Sequence, residues 1–258
     1  MFLKKSKNKK IIKSASIILA LAVLASALYV CNMFGFFNKG NYGDTALENV
    51  ELKQNSVLNG NTVIFLGSSV TYGYGSMGVS FVDYLEAADG IIPIKEAVSG
   101  TTLADKSEKS YVSRLKRINP ELKPDAFVCQ LSTNDATKEI PLGSVSEGVE
   151  LADFDTSTVA GAIEYIIFHV RLTWDCPIVF YTQAKYDSEQ YGKMVDLLLQ
   201  IQKKWGITVI DLWNNEQINS ITDEQRSLYL VDRIHPTKAG YLEWWLPEFE
   251  KGLSKVLA

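Results

Sequence analysis

Apolar and polar positions fall into two alternating periods along most of this chain. Residues 63–66, 91–98, 126–132, 178–182 and 208–212 are short, nearly continuous apolar runs, with the length and composition of buried strands. Between them, residues near 79–88, 109–118, 157–174 and 188–205 repeat apolar side chains at helical spacing, and a last such stretch lies near 237–256. The clearest is the third. Ile163, Ile166, Ile167, Val170 and Trp174 follow the cap-forming residues Asp155, Thr156 and Ser157. Strand and helix patterns in alternation predict βαβ crossovers. The expected domain is therefore α/β, with a parallel five-stranded sheet covered on both faces.

The pattern upstream is different. Residues 14–37 contain no charged side chain, and as a helix these 24 residues span roughly 36 Å, enough to cross a bilayer. Residues 1–13 carry six lysines and no acid. That flank predicts a cytoplasmic N-terminus with the remainder exported. The competing reading is a cleaved signal peptide, because Ala25-Ser26-Ala27 has the small-x-small form. The apolar run continues through Leu28-Tyr29-Val30 and Met33-Phe34, which favours a retained single-pass anchor, and Val30 stands where a lipoprotein signal at Cys31 needs a small residue. Residues 38–60 are polar without a sustained period and read as a linker, leaving 61–258 as the folded domain.

Charge narrows the partners. The chain of 258 residues has a formal net charge of -4, but setting aside the six N-terminal lysines leaves 20 basic against 30 acidic side chains, a net of -10. Nucleic acid is an unsuitable partner for such a surface. Three cysteines, no CxxC pair and no Cys/His cluster give no zinc pattern, so neither metal nor organic cofactor is expected. Cys129 and Cys176 read as core thiols.

In a parallel sheet the working residues gather where the strands end. After the first run comes "FLGSSVTYGYGS", residues 65–76. A phosphate loop there lacks its lysine, since none occurs between Lys53 and Lys95. Gly73, Gly75 and Gly78 do spell GxGxxG, but they begin well after the strand should end at Leu66, too late for a dinucleotide turn. A nucleophile turn needs a base and an orienting acid elsewhere. Of two histidines, His169 lies inside a helix pattern and reads as a packing residue. His235 follows Asp232 by three residues in a loop before the last helix, so a tight turn can set the carboxylate against one imidazole nitrogen and leave the other free to take a proton.

With these pieces the chain resembles the SGNH/GDSL hydrolase family of serine esterases. Four blocks match in the family's order across residues 65 to 241: "FLGSSVTYG", "AVSGTT", "LSTND" and "VDRIHPTKAGY". The resemblance implies a flavodoxin-like three-layer α/β/α sandwich behind an N-terminal transmembrane helix. It makes Ser69 the nucleophile, with Ser68 in place of the family's usual Asp, His235 the base and Asp232 its orienter. It assigns the oxyanion hole to the Ser69 amide, Gly100 and the Asn134 side chain, with Ser132 where the family often has Gly. The activity implied is hydrolysis of a carboxylic ester through an acyl-enzyme, without a cofactor. An acyltransferase would use the same residues, and a catalytically idle binding module is the non-enzymatic alternative. The expected substrate is a short acyl ester, such as O-acetyl on a surface glycan, with a lysophospholipase or thioesterase-like role as the alternative. Residues 136–156, rich in acids, are the natural lid in this arrangement. The domain is expected outside the cytoplasm, at the membrane if the helix is retained and secreted if it is cleaved.

Overall fold

The computed structural model describes residues 2–257, with side chains described from residue 16 onward. The basic flank at residues 1–13 therefore lies outside the described side chains. Five strands form one sheet: β1 (Thr62–Gly67), β2 (Ile92–Ala97), β3 (Ala126–Gln130), β4 (Ile178–Tyr181) and β5 (Thr208–Ile210). Every pairing is parallel, in the order β2-β1-β3-β4-β5. This is the flavodoxin-like order, in which ligands sit beyond the carboxyl ends of β1 and β3, where the direction of winding reverses.

The helices are α1 (Phe2–Met33), α2 (Ser69–Tyr72), α3 (Phe81–Asp89), α4 (Tyr111–Leu115), α5 (Thr133–Thr137), α6 (Val159–Thr173), α7 (Glu189–Trp205), α8 (Glu216–Asn219), α9 (Asp223–Tyr229) and α10 (Leu246–Leu257). Alternation along each strand divides the core in two. Ile64, Leu66, Phe127, Cys129 and Phe180 face α4, α6 and α7, meeting Tyr111, Ile163, Ile167 and Leu198. Val63, Phe65, Val128, Val179 and Tyr181 face α3 and α10, meeting Phe81, Leu85, Phe249 and Leu253. Side chains such as Phe65 are fully buried, each worth about 1.5–3 kcal/mol by transfer out of water.

Two expectations are revised. Residues 38–60 do not hang free as a linker. They fold into three short 3₁₀ turns, Lys39–Asn41, Gly43–Thr45 and Leu47–Asn49, with Asn41, Thr45 and Leu58 buried. Their polarity serves hydrogen bonding to the domain: Tyr84 donates its hydroxyl to Thr45 O at 2.5 Å, and Asn38 Nδ2 reaches Leu230 O at 3.1 Å. The stretch at 136–156 is not a lid either. Its apolar residues Ile140, Leu142, Val145 and Phe154 join the core beside α6 and α7. Lys204 Nζ fastens it there, donating to Ser146 O at 2.6 Å, Gly148 O at 2.8 Å and the fully buried Glu164 carboxylate at 2.6 Å. His169 packs between Tyr165 and Trp174 on α6. Burial, with Lys116 nearby, holds its imidazole below the ordinary value.

Candidate functional site

The first strand ends at a crowded glycine. A Cβ on Gly67 would lie 1.7 Å from Thr71 Oγ1, so only glycine lets the chain turn straight from β1 into α2. The turn separates the two serines. Ser68 is fully buried, and its amide and hydroxyl both point back to Gln130 Oε1, at 2.8 and 3.3 Å. Ser69 opens α2 and is nearly buried, 7% exposed. Its Oγ is 2.8 Å from His235 Nε2. Gly73, at φ +91°, ends the single helical turn, a conformation glycine adopts without a steric cost.

The histidine arrives on a closed loop. Leu230 and Pro236 pair across it, and Val231 N donates to His235 O at 2.9 Å. Inside, Asp232 Oδ1 accepts from the amides of Ile234 and His235 at 2.7 and 2.8 Å, while Oδ2 lies 2.7 Å from His235 Nδ1. Burial raises the Asp232 pKa, but the His235 ring and the two amides outweigh it, and the carboxyl is held below its ordinary value. The Asp232–His235 contact needs a proton on Nδ1, which leaves Nε2 as the acceptor facing the serine hydroxyl.

Gly100 and Asn134 lie in the loops that follow β2 and β3. Gly100 sits at φ +79°, and an added Cβ would meet nothing within 4 Å. Its need for glycine comes from the backbone angle, not from crowding. Asn134 Nδ2 donates one hydrogen to Thr101 O at 3.0 Å, which fixes the amide and leaves its second hydrogen available. Among the described residues, neither the Ser69 nor the Gly100 amide meets a protein acceptor. Next to Asn134, Asp135 is buried and accepts from the amides of Leu103 and Ala104 at 2.7 and 3.0 Å, tying the third loop to the second. Burial pushes its carboxyl above the ordinary range despite those bonds.

The sequence leaves Gln130 and Arg114 unmarked, and of Tyr74 it suggests only a ring that, with Tyr72, could line a sugar-binding surface beside Ser69. Gln130, the last residue of β3, takes Ser68 N, Ser68 Oγ and Thr71 Oγ1 on one carbonyl oxygen. Arg114 is only 4% exposed. Its guanidinium donates to Gly67 O at 2.7 Å, Glu96 O at 2.8 Å and Lys109 O at 2.9 Å, and to the Glu96 carboxylate at 3.1 Å. It thereby holds the ends of β1 and β2 side by side. Tyr74 sets its ring 5.2 Å from that of His235. A buried polar residue closing an apolar strand was a usable signal for Gln130. For Arg114 and Tyr74 no local pattern marks the role.

Comparison with known proteins gives the family. The profile of the GDSL-like lipase/acylhydrolase family matches residues 65–242. The chain belongs to that family and is a serine hydrolase of the esterase type. One solved structure is 26% identical with a TM-score of 0.65, covering 78% of this chain and 99% of that one. A protein from Lactobacillus plantarum is 19% identical with a TM-score of 0.60, covering 77% and 97%. A member of the lipolytic protein G-D-S-L family from Veillonella parvula is 14% identical with a TM-score of 0.55, covering 75% and 98%. No curated protein matches the chain.

Proposed function

We propose that the chain is a membrane-anchored, extracytoplasmic deacylase that removes a short acyl group, such as acetyl, from a hydroxyl of a surface glycan. The observation that carries the chemistry is the hydrogen-bonded line Ser69–His235–Asp232, with steps of 2.8 and 2.7 Å. Ser69 Oγ attacks the ester carbonyl as its proton passes to His235 Nε2. The oxyanion that forms takes hydrogen bonds from the amides of Ser69 and Gly100 and from the free Asn134 hydrogen. His235 then gives its proton to the departing alkoxide, and the acyl group stays on Ser69. Water, deprotonated by the same imidazole, releases the acid and restores the hydroxyl. Asp232 holds the tautomer and steadies the imidazolium.

The short-acyl reading is supported by what borders Ser69. Tyr72, three residues after Ser69, is 41% exposed, and Lys138, four residues after Asn134, brings its Nζ to Gly100 O at 2.9 Å. These are polar or amphipathic groups suited to a sugar face. The loop that would wall a long apolar trough is fastened elsewhere by Lys204. The anchor reading rests on the apolar helix window Ser16–Met33, of mean hydropathy 2.1. A fluorophosphonate probe tests the chemistry. Ser69→Ala should abolish labelling and ester hydrolysis, and Ser68→Ala should keep most of both. Labelling that persists in Ser69→Ala refutes the assignment, and a preference for decanoyl over acetyl esters refutes the short-acyl reading.

A further inference from the structure

The end of the apolar helix is built into the catalytic loops. Gly35, two residues past α1, offers its carbonyl to Asn41 Nδ2 at 2.8 Å. The same Nδ2 donates to Gly75 O at 2.9 Å, in the loop that follows Ser69. Asn41 Oδ1 accepts from Lys238 N at 2.8 Å, three residues after His235. One side chain, 1% exposed, therefore joins the helix end, the serine loop and the histidine loop. The junction is close-packed as well as bonded. A Cβ on Gly35 would lie 2.1 Å from Gly75 O, and one on Gly40 would lie 2.0 Å from Leu228 O. A row of rings completes it: Phe34 is 4.6 Å from Tyr74, and Tyr74 is 5.2 Å from His235.

This geometry fixes the height of the site. A flexible tether of the length of residues 38–60 would let the domain range over roughly 25 Å. Here the imidazole stands two ring contacts from the residue that follows the helix. The two contacts, 4.6 and 5.2 Å, put the imidazole no farther from that residue than a little beyond the headgroup layer, which adds about 5–8 Å on each side of the hydrocarbon core. Phe36, Phe37 and Tyr42 are exposed around the junction, aromatic side chains suited to that layer. Tyr42 is held in place by its hydroxyl on Phe36 O at 2.6 Å.

We infer that the ester cleaved belongs to a membrane-resident amphiphile, a glycan head borne on a lipid in the enzyme's own bilayer and attacked at headgroup height. This rests on the deacylase reading above and on retention of the helix. The test uses the full-length protein reconstituted in vesicles. The probes are O-acetylated glucose joined to a dialkylglycerol directly, the same sugar on a poly(ethylene glycol) spacer of roughly 30 Å, and water-soluble 4-nitrophenyl acetate. At equal surface density the directly joined sugar should be deacetylated about tenfold faster than the spaced one, because only the former meets the site at its fixed height. Inserting a flexible Gly/Ser segment of about eight residues between Met33 and Phe34 frees the domain while keeping Phe34, Gly35 and Asn41 with it. That variant should lose the spacer dependence and keep its rate on 4-nitrophenyl acetate. Equal rates on both lipid probes in the unmodified protein, or a spacer dependence that survives the insertion, overturn the inference and leave the deacylase reading standing. Failure to cleave 4-nitrophenyl acetate overturns both.

Discussion

Replacing Arg114 by Lys tests whether the catalytic loops are held from behind. The guanidinium uses Nε, Nη1 and Nη2 on three backbone carbonyls that face it from different directions, Lys109 O, Glu96 O and Gly67 O. An ammonium is a single centre on a flexible stem and cannot reach all three from one position. At 4% exposure there is little water to take over the abandoned acceptors. A hydrogen bond from a charged donor contributes about 1.5–3 kcal/mol, so losing two of the three costs about 3–5 kcal/mol after partial relaxation. Against a total stability of about 5–15 kcal/mol for a domain, that loss is readily measured. Urea denaturation of the full chain in detergent, followed by tryptophan fluorescence, should show the midpoint falling with an unchanged slope. Because Gly67 O lies two residues before Ser69, kcat on 4-nitrophenyl acetate should also fall, by about ten- to a hundredfold, with KM changing less. A stability loss under about 1 kcal/mol, the range of an ordinary surface change, would refute the claim that this clamp bears on the fold.

Three other outcomes follow from the site. Asn134→Ala should lower kcat by about a hundred- to a thousandfold while fluorophosphonate labelling of Ser69 remains detectable, since one oxyanion donor is lost and the nucleophile is kept; unchanged kcat would remove Asn134 from the oxyanion hole. Gly100→Ala should destabilise by about 1–2 kcal/mol through its left-handed backbone angle alone, read from the urea midpoint, because the added methyl meets open space. The folded-state pKa of Asp232 is lowered, so its contribution to stability is present above the ordinary carboxylate range and disappears as pH falls through the folded value. The gap in urea midpoint between the unmodified chain and Asp232→Asn should therefore be open at neutral pH and close as acid carries the pH below the folded value, and a gap that widens with acid would contradict the sign.

The parts of the fold legible in the sequence are those set by long apolar periods. All five strands appear within one or two residues of their expected bounds; the central β1, β3 and β4 are almost fully buried and read as continuous apolar runs, while the edge strand β2 keeps its pattern despite Lys95 and Glu96. Among the short helices, α5 carries no apolar period and was not expected; it is five residues long and begins on a local cap, Ser132 Oγ accepting from Asn134 N. A short helix was expected past the fifth strand without bounds, and α8 and α9 lie there. Residues 38–60 misled for a related reason. Asn38 and Asn41 look like solvent-facing linker residues in composition, and only tertiary contacts make Asn38 a donor to Leu230 O and Asn41 a buried donor and acceptor. The residues of the proposed triad were legible because Ser69 lies in one distinctive block and Asp232 and His235 lie together in another. Gln130, Arg114 and Tyr74 act across long sequence separations, which local spacing does not reveal.

The departure from the family's usual Gly-Asp-Ser is explained by the strand beside it. A serine at position 68 is too short to brace the turn as a carboxylate does. The bracing comes from the far side of β1, where Gln130 brings one carbonyl oxygen to Ser68 N, Ser68 Oγ and Thr71 Oγ1. Thr71 Oγ1 in turn lies 2.7 Å from the hydroxyl of Tyr181 at the end of β4. The turn that carries Ser69 is thus tied through neutral groups to β3 and β4, the next two strands of the sheet. Neutral bracing also changes the electrostatics. A carboxylate at position 68 would place a negative charge one residue from the attacking oxygen and from the developing oxyanion, where negative charge is already accumulating. With Ser68 and Gln130 in that place, the one carboxylate in the proposed triad is Asp232, 2.7 Å behind the imidazole, where in the proposed mechanism its charge favours the imidazolium formed during attack.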